Sequence, residues 1–240
     1  MRFGLLLVIP LMVGCNSSNE PSGQYAPIAH GSHVRLEVMV GGKRGFIDET
    51  GKLVINPQWD AAYPFKEGLA LVCVGECDGE HLLGRRYTKD FKEIILEQTF
   101  KYGYIDESGK FMINPSYEDA HNFSEGLAAV CQGKGCYRAL DKKELPRKWG
   151  YIDKTGSMVI SPQFDAANNF KEDLASASVG GKWGYIDKKG TFVINPQFDN
   201  AGDFDKGFAT IAISAHEGES TLYKWGYIDK TSKVIWEPSK

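Results

Sequence analysis

The sequence has no apolar run long enough to cross a bilayer as a permanent helix. Its longest one, from Phe3 to Val13, is about eleven residues, whereas a spanning helix needs about twenty. A short positive start at Met1-Arg2 precedes this run, and Gly14-Cys15 follows it. This arrangement predicts an exported chain with a signal peptide over residues 1–14.

The sequence also lacks an excess of positive charge and the common catalytic motifs. Its 28 Lys and Arg against 31 Asp and Glu give a net charge of -3, which favours neither nucleic acid nor an anionic membrane as a partner. No Ser-His-Asp order, HExxH motif or phosphate-binding glycine loop is present. We therefore expect no catalytic residues, no metal, no cofactor and no nucleic acid, and predict that the chain is not an enzyme. The five histidines are scattered and are expected in surface or tether positions: His30, His33, His81, His121 and His216.

The segment "LMVGC" resembles the bacterial lipobox, whose cysteine receives a lipid and becomes the first residue of the mature chain. That resemblance implies lipidation at Cys15, and Asn16 after it favours the outer membrane. The alternative is an ordinary signal peptide cleaved nearby. Residues 15–33 are rich in Asn, Ser, Gly and Pro, which predicts a flexible tether between the lipid and a folded domain over 34–240. The expected location is the bacterial cell envelope.

The remainder of the chain repeats one motif five times. "KWGYIDKKGTFVINPQFD" at residues 182–199 nearly copies "KWGYIDKTGSMVISPQFD" at 148–165, and further copies start at Lys43, Lys101 and Lys224. The shortest interval between copies is 34 residues. A fixed period of this size indicates a repeat architecture, in which each unit is stable only against its neighbours.

The repeat predicts an all-β fold of three-stranded antiparallel meanders. Short alternating runs are joined by Gly-Gly-Lys and by Asp-x-x-Gly, which are hairpin connections. In the first strand, Val34, Leu36, Val38 and Val40 are expected to face inward. The third strands are expected to end at Pro57, Pro115, Pro162, Pro196 and Pro238. Five complete units favour an open solenoid-like array, with a five-bladed propeller-like ring as the alternative. The predicted turn residues are Asp48, Asp106, Asp153, Asp187 and Asp229.

A single unit of this size cannot offset the conformational entropy of its own folding, so its aromatic side chains must pack between units. The predicted packing residues are Trp149, Trp183, Trp225, Tyr102, Tyr151, Tyr185, Phe123, Phe170 and Phe204.

The combination of Trp-Gly-Tyr-Ile-Asp, Ile-Asn-Pro and Phe-x-Glu-Gly-Leu-Ala resembles the WG-repeat family of bacterial proteins over about residues 34–238. The resemblance implies a β-repeat module, usually exported or surface-associated, with no catalytic residues to transfer.

Four cysteines remain after Cys15. An even number in an exported chain indicates disulfides, and the spacing favours Cys73 with Cys77 and Cys131 with Cys136. Alternation places Cys73 and Cys131 on the outward face of their strands. A Cys73–Cys131 pair is the alternative connection, and a zinc site of Cys73, Cys77 and His81 is a third possibility.

Insertions near residues 75–98, 132–147 and 215–223 interrupt the copies. The second insertion has a modest basic excess, which suits either a solvated loop or a contact surface. We expect a lipid-anchored scaffold that binds an envelope protein or a glycan through these loops and an aromatic-bearing edge. The alternative is an envelope enzyme or inhibitor whose site the loops form.

Overall fold

A computed structural model describes most of the repeat region. The described residues are 34–75, 77, 100–133, 136, 148–217 and 220–236, together with 85–87 and 93–95, and at 85–87, 93–95, 215–217 and 220–222 only the backbone is described. The predicted signal peptide, Cys15, the tether, His81, Pro238 and most of the first two insertions lie outside these residues.

The described chain is all-β and builds five small antiparallel sheets in tandem, which confirms the predicted fold class. Sheets 1 and 2 come from the first half of the chain. A separate two-stranded hairpin lies, in sequence, between two strands of sheet 2. Sheet 1 contains β1 (Leu36–Val40), β2 (Lys43–Ile47) and β3 (Leu53–Trp59); sheet 2 contains β4 (Ala61–Ala62), β5 (Ala70–Val74), β8 (Lys101–Ile105) and β9 (Phe111–Tyr117), and the hairpin contains β6 (Arg85–Tyr87) and β7 (Glu93–Ile95).

Sheets 3 to 5 have the same strand order as sheet 2. Sheet 3 contains β10 (Asp119–Ala120), β11 (Leu127–Gln132), β12 (Lys148–Asp153) and β13 (Met158–Phe164); sheet 4 contains β14 (Ala166–Ala167), β15 (Ala175–Val179), β16 (Lys182–Ile186) and β17 (Phe192–Phe198); sheet 5 contains β18 (Asn200–Ala201), β19 (Phe208–Glu217), β20 (Ser220–Asp229) and β21 (Val234–Trp236). The predicted insertion at 215–223 mainly lengthens the β19–β20 hairpin, whose pairing continues to Glu217 and Ser220.

Sheets 2 to 5 each contain a fourth strand that the sequence did not predict. After leaving one sheet, the chain bends at an acidic residue and immediately adds two residues to the next sheet, as Ala61 and Ala62 do by pairing with Cys73 and Val72. Two residues are too few to produce a readable alternation. These short strands hold each sheet to its neighbour, because the last residue of one sheet and the first residue of the next lie within a stretch of three residues.

The prolines of the third strands do not end them, contrary to the prediction. Pro57 lies inside β3, within a bulge where Arg44 pairs with Trp59 and Phe46 with Ile55. The bulged segment packs onto the glycine of the Trp-Gly motif: a Cβ on Gly45 would lie 2.6 Å from both the Ile55 carbonyl oxygen and the Pro57 nitrogen. A bulge tolerates proline because it leaves ladder positions unused. The repeated glycine is therefore needed for close backbone approach.

The Asp residues of the Asp-x-x-Gly segments hold the β-turns in shape. Oδ1 of Asp48 accepts hydrogen bonds from the backbone N–H groups of Thr50 and Lys52 at 3.0 Å, and from the Thr50 hydroxyl at 2.6 Å. The same bonds to N–H groups two and four residues later recur in each later unit. Hydrogen bonding to the Thr50 side chain lowers the pKa of Asp48 despite the opposing effect of burial.

The sheets stack so that each buries one face against the next. We call the face that carries the Tyr or Phe of the Trp-Gly strand the front face, and the opposite one the back face. Tyr104, on the front face of sheet 2, packs in one cluster with Val130 and Ile152, on the back face of sheet 3. Tyr151 and Tyr185 pack in the same way against sheets 4 and 5. The core is therefore a series of layers between sheets.

Stacking corrects two expectations about the first strands. The first long strand of an internal sheet is buried on both of its faces. Cys73 and Cys131, which lie on such strands, are therefore fully buried and do not face outward. In sheet 1, by contrast, the row expected to face inward is largely open: Leu36 is 51% exposed and Val40 is 60% exposed. The reason is that this row lies on the back face of the first sheet, where no described residue forms a preceding sheet.

The two terminal sheets show that the array is open. In a closed ring the front face of sheet 5 would cover the back face of sheet 1. Instead, Tyr227 is 43% exposed and Trp225 is 50% exposed, although the equivalent Tyr185 is fully buried. Trp225 therefore departs from the predicted packing between units. The described residues contain no helix with the length and apolar character needed to span a membrane.

Two cysteine pairs lie at disulfide distance. The sulfur atoms are 1.96 Å apart in Cys73–Cys77 and 2.12 Å apart in Cys131–Cys136, the pairing that the spacing favoured. A zinc site that uses Cys73 and Cys77 is incompatible with this arrangement, because both thiolates are consumed. The described residues contain no group of three or more His, Cys, Asp or Glu placed to hold a metal ion.

The acidic residue at each bend clamps two successive sheets. Asp60 accepts a hydrogen bond from the Lys43 ammonium of sheet 1 at 2.6 Å and another from the Gly75 N–H at the end of β5 at 3.0 Å. Glu118, Asp165 and Asp199 make equivalent contacts. Hydrogen bonding from Lys182 and Ser214 lowers the pKa of Asp199 to about 2. This carboxylate fixes the junction between sheets 4 and 5.

Candidate binding groove

One open groove of about 620 Å³ runs across four of the sheet junctions. Its lining comes mainly from two-residue segments between the Ala of the short strand and the following buried Phe. We call each such segment a connector pair. The four connector pairs are Tyr63–Pro64, His121–Asn122, Asn168–Asn169 and Gly202–Asp203.

The backbone N–H of the first residue in each connector pair is bonded to the neighbouring strand, and in three of the four pairs its carbonyl also accepts a tyrosine hydroxyl. His121 donates its N–H to the Ala129 carbonyl at 2.9 Å, and its own carbonyl accepts the Tyr104 hydroxyl at 2.7 Å. Tyr151 makes the same bond to the Asn168 carbonyl, and Tyr185 to that of Gly202. The buried tyrosines of one sheet thus position the groove residues of the next. With the backbone fixed, the side chain can change without disturbing the scaffold.

Two side-chain amides in the groove have an unused hydrogen-bond acceptor. Oδ1 of Asn122 and Oδ1 of Asn169 are removed from solvent and accept no hydrogen bond from the described residues. The neighbouring Asn168 donates from Nδ2 to the Ser176 hydroxyl at 2.9 Å. An unused buried acceptor costs about 1–3 kcal/mol.

Three groups in the groove, His121, Asp203 and Tyr102, have pKa values shifted towards their neutral forms. Burial lowers the pKa of His121, whose ring lies 4.9 Å from that of Trp149, centroid to centroid. This half-buried position corrects the expectation that every histidine is a surface or tether residue. Partial desolvation raises the pKa of Asp203 and burial raises that of Tyr102. None of the described lining residues is Lys or Arg, so the groove offers no charge for a polyanion.

Of the residues named from the sequence, Tyr102 and His121 line the groove. The other predicted aromatics pack between sheets or, in the case of Trp225, face solvent. The turn aspartates are in hairpins elsewhere, and the insertion loops lie largely outside the described residues. A sequence signal for the groove does exist. In "AAYPF", "DAHNF", "AANNF" and "NAGDF" the flanking Ala and Phe are constant while the pair between them changes.

Comparison with known families agrees with this architecture. The class defined by the stacked sheets is a tandem β-repeat array. A family described as WG containing repeat matches residues 45–76, 102–136, 149–183 and 183–213, which together cover more than half of the chain. The chain belongs to this family. Each match begins in the Trp-Gly strand of one sheet and runs into the first strand of the next, so the matched unit spans a sheet junction. No curated protein matches the chain.

Proposed function

We propose that this chain is an exported, lipid-anchored WG-repeat scaffold that binds a macromolecular partner in the bacterial cell envelope, and that the connector groove is the contact surface. The observation that carries the proposal is the groove itself. Four units contribute differing side chains to one continuous polar surface, on backbone that the repeat holds in the same way each time.

The chemistry of the groove favours a neutral glycan over a polyanion or an apolar peptide. Hydroxyl and acetamido groups of a sugar can exchange hydrogen bonds with the side-chain amides of the residues that line the groove, Asn122, Asn168 and Asn169. Tyr63, which is 37% exposed, offers a ring face against which a sugar ring can pack. A surface with amides, an aromatic ring and no Lys or Arg among its described lining residues suits an uncharged polyhydroxylated ligand.

Titration calorimetry with soluble N-acetylglucosamine oligomers tests the proposal. The native protein should bind, and Asn169→Ala should weaken binding about tenfold because it removes one hydrogen-bonding side-chain amide from the groove lining. Asn195→Ala is the matched control, since Asn195 is exposed on the third strand of sheet 4 and should leave affinity unchanged. Equal affinity in both variants, or no binding by the native protein, would reject the groove as a glycan site.

A second candidate is an envelope enzyme, which the combination of Asp119, His121 and Asp203 in one groove favours. These groups are of the kind that serves as general acid and base. Incubation of the protein with the same oligomers distinguishes the two functions. Chain shortening that Asp203→Asn abolishes would support catalysis, whereas intact oligomers with measurable affinity would support binding alone.

The lipid anchor is proposed on the lipobox-like segment ending at Cys15. An acyl chain at this residue would hold the scaffold at the membrane, with the outer membrane favoured by Asn16. Mass spectrometry of the protein isolated from its host should find a diacylated or triacylated Cys15 at the new N-terminus. An unmodified chain cleaved at another position would contradict the anchor without affecting the groove.

A further inference from the structure

The two ends of the array expose opposite halves of the contact that joins every internal pair of sheets. The front face of sheet 5 exposes four aromatic side chains, each between 43% and 56% exposed: Phe208, Trp225, Tyr227 and Trp236. The back face of sheet 1 exposes Leu36. Inside the array a front face is always covered by the back face of the following sheet. The open front face of one molecule is therefore complementary in kind to the open back face of another.

A row of ion pairs fixes how successive sheets align. In the loop before each first strand, Glu67, Glu125 and Glu172 adopt positive φ angles of 53° to 54°. Each lies 3.1 Å from a lysine in the Asp-x-x-Gly turn of the following sheet. The three pairs are Glu67 with Lys154, Glu125 with Lys188 and Glu172 with Lys230.

Further hydrogen bonds make this row specific in geometry. Glu67 also accepts the Gly126 N–H of the next loop at 3.0 Å, and Lys154 also donates to the Glu67 carbonyl at 2.9 Å. Glu172 and Lys230 repeat both contacts. A loop acid and a turn lysine are thus the rule at three internal junctions.

At the two ends of the row the charges are reversed. The loop before the first strand of sheet 5 has Lys206 where the earlier loops have Glu, with the same φ of 54°. The turn of sheet 1 has Glu49 where the turns of sheets 3 to 5 have Lys, and the turn of sheet 2 likewise has a glutamate, Glu107. Among the described residues neither Lys206 nor Glu49 has an ion-pair partner. If a second molecule continued the stack, Lys206 would face Glu49 of that molecule, and the pair would form with exchanged signs.

We propose that the protein associates head to tail with a second copy of itself, the front face of sheet 5 packing on the back face of sheet 1 and Lys206 pairing with Glu49. The exchanged charges are the distinguishing feature. A loop Glu against Glu49, or Lys206 against a turn Lys, would repel, so the charges favour contact between the two ends over contact of either end with the loop glutamates or turn lysines inside the array. A contact between two different surfaces does not close on itself, so association should proceed beyond a dimer.

Sedimentation velocity of the purified protein over a hundredfold range of concentration tests this proposal. The native protein should form dimers and longer species as concentration rises. Lys206→Glu and Glu49→Lys should each weaken association about fivefold or more, since each replaces an attraction by a repulsion. Both variants should fold, because the equivalent loops of sheets 2 to 4 already have Glu at the Lys206 position and the turns of sheets 3 to 5 already have Lys at the Glu49 position.

Variants in which the two charges are exchanged provide the decisive comparison. The double variant Lys206→Glu with Glu49→Lys should regain the native association, and so should an equimolar mixture of the two single variants. Lys189→Glu, which makes the same charge change on an exposed turn residue, should have no effect. The proposal is overturned if the protein stays monomeric, as it would if another segment of its own chain covers the end faces. It is also overturned if association stops at a dimer or if the double variant associates no better than the single ones.

Discussion

Sheets 4 and 5 contain the same strand sequence, "KWGYID", and yet place it in different environments. Tyr185 is fully buried in sheet 4, whereas Tyr227 at the same position of sheet 5 is 43% exposed. The isoleucines that follow, Ile186 and Ile228, are both fully buried because they lie on back faces that a preceding sheet covers. The difference teaches that the repeat sequence determines strand and turn, while the neighbouring sheet determines burial.

The largest expected effect comes from truncating the two tyrosines. Tyr185→Ala should lower the free energy of unfolding by about 3–5 kcal/mol, because it removes a buried ring packed on Phe204 and a hydroxyl bonded to the Gly202 carbonyl. Tyr227→Ala should cost less than about 1 kcal/mol, since its ring is already partly hydrated. Urea denaturation of both variants measures the contrast. Similar losses would show that the end of the array is packed like its interior.

A smaller contrast is expected between two glycines of sheet 4. A Cβ on Gly184 would meet the Ile194 carbonyl oxygen and lie 2.7 Å from the Pro196 nitrogen, so Gly184→Ala should cost about 1–3 kcal/mol. Gly180 has a φ of 61° and open space around it. Gly180→Ala should therefore cost only about 1 kcal/mol, through backbone strain alone. The same denaturation measurement applies, and the reverse order would contradict the role assigned to the Trp-Gly glycine.

The junction between sheets 4 and 5 should weaken in acid through Asp199. Its folded pKa is about 2, below the ordinary value of 3.8, so the stability that it contributes is present above about pH 4 and is lost as pH falls towards 2. At pH 7, Asp199→Asn should cost about 1–2 kcal/mol, because the carboxylate is near the surface and partly screened. The difference from the native protein should shrink steadily below pH 4. A difference that does not change with pH would mean that the clamp is not ionic.

Much of the fold could be predicted because its signals are local. The Asp48 turn and the alternation of short runs depend on residues close together in the chain, and five copies made the pattern readable. The bulge at Pro57 could not be predicted, since it depends on the approach of that segment to Gly45 on another strand. The burial of Cys73 was likewise missed, because stacking covers both faces of its strand.

The groove was missed for a different reason. His121 and Asn169 are separated by 48 residues and meet only because successive sheets place their connectors side by side. The sequence had directed attention to the insertions, where the copies are interrupted. The structure adds a second kind of variation inside the copies, at two positions between a constant Ala and a constant Phe.

The central claim is that the constant parts of the repeat hold variable connector pairs as a binding surface. Unfolding of the Asn122→Ala, Asn169→Ala double variant with and without N-acetylglucosamine oligomers tests it directly. Without ligand, the double variant should be as stable as the native protein or up to about 2 kcal/mol more stable, since it loses two unused buried acceptors. With ligand, the native protein should gain stability in proportion to the logarithm of ligand concentration, and the double variant should gain much less. Equal stabilisation of both proteins by the ligand would contradict the claim.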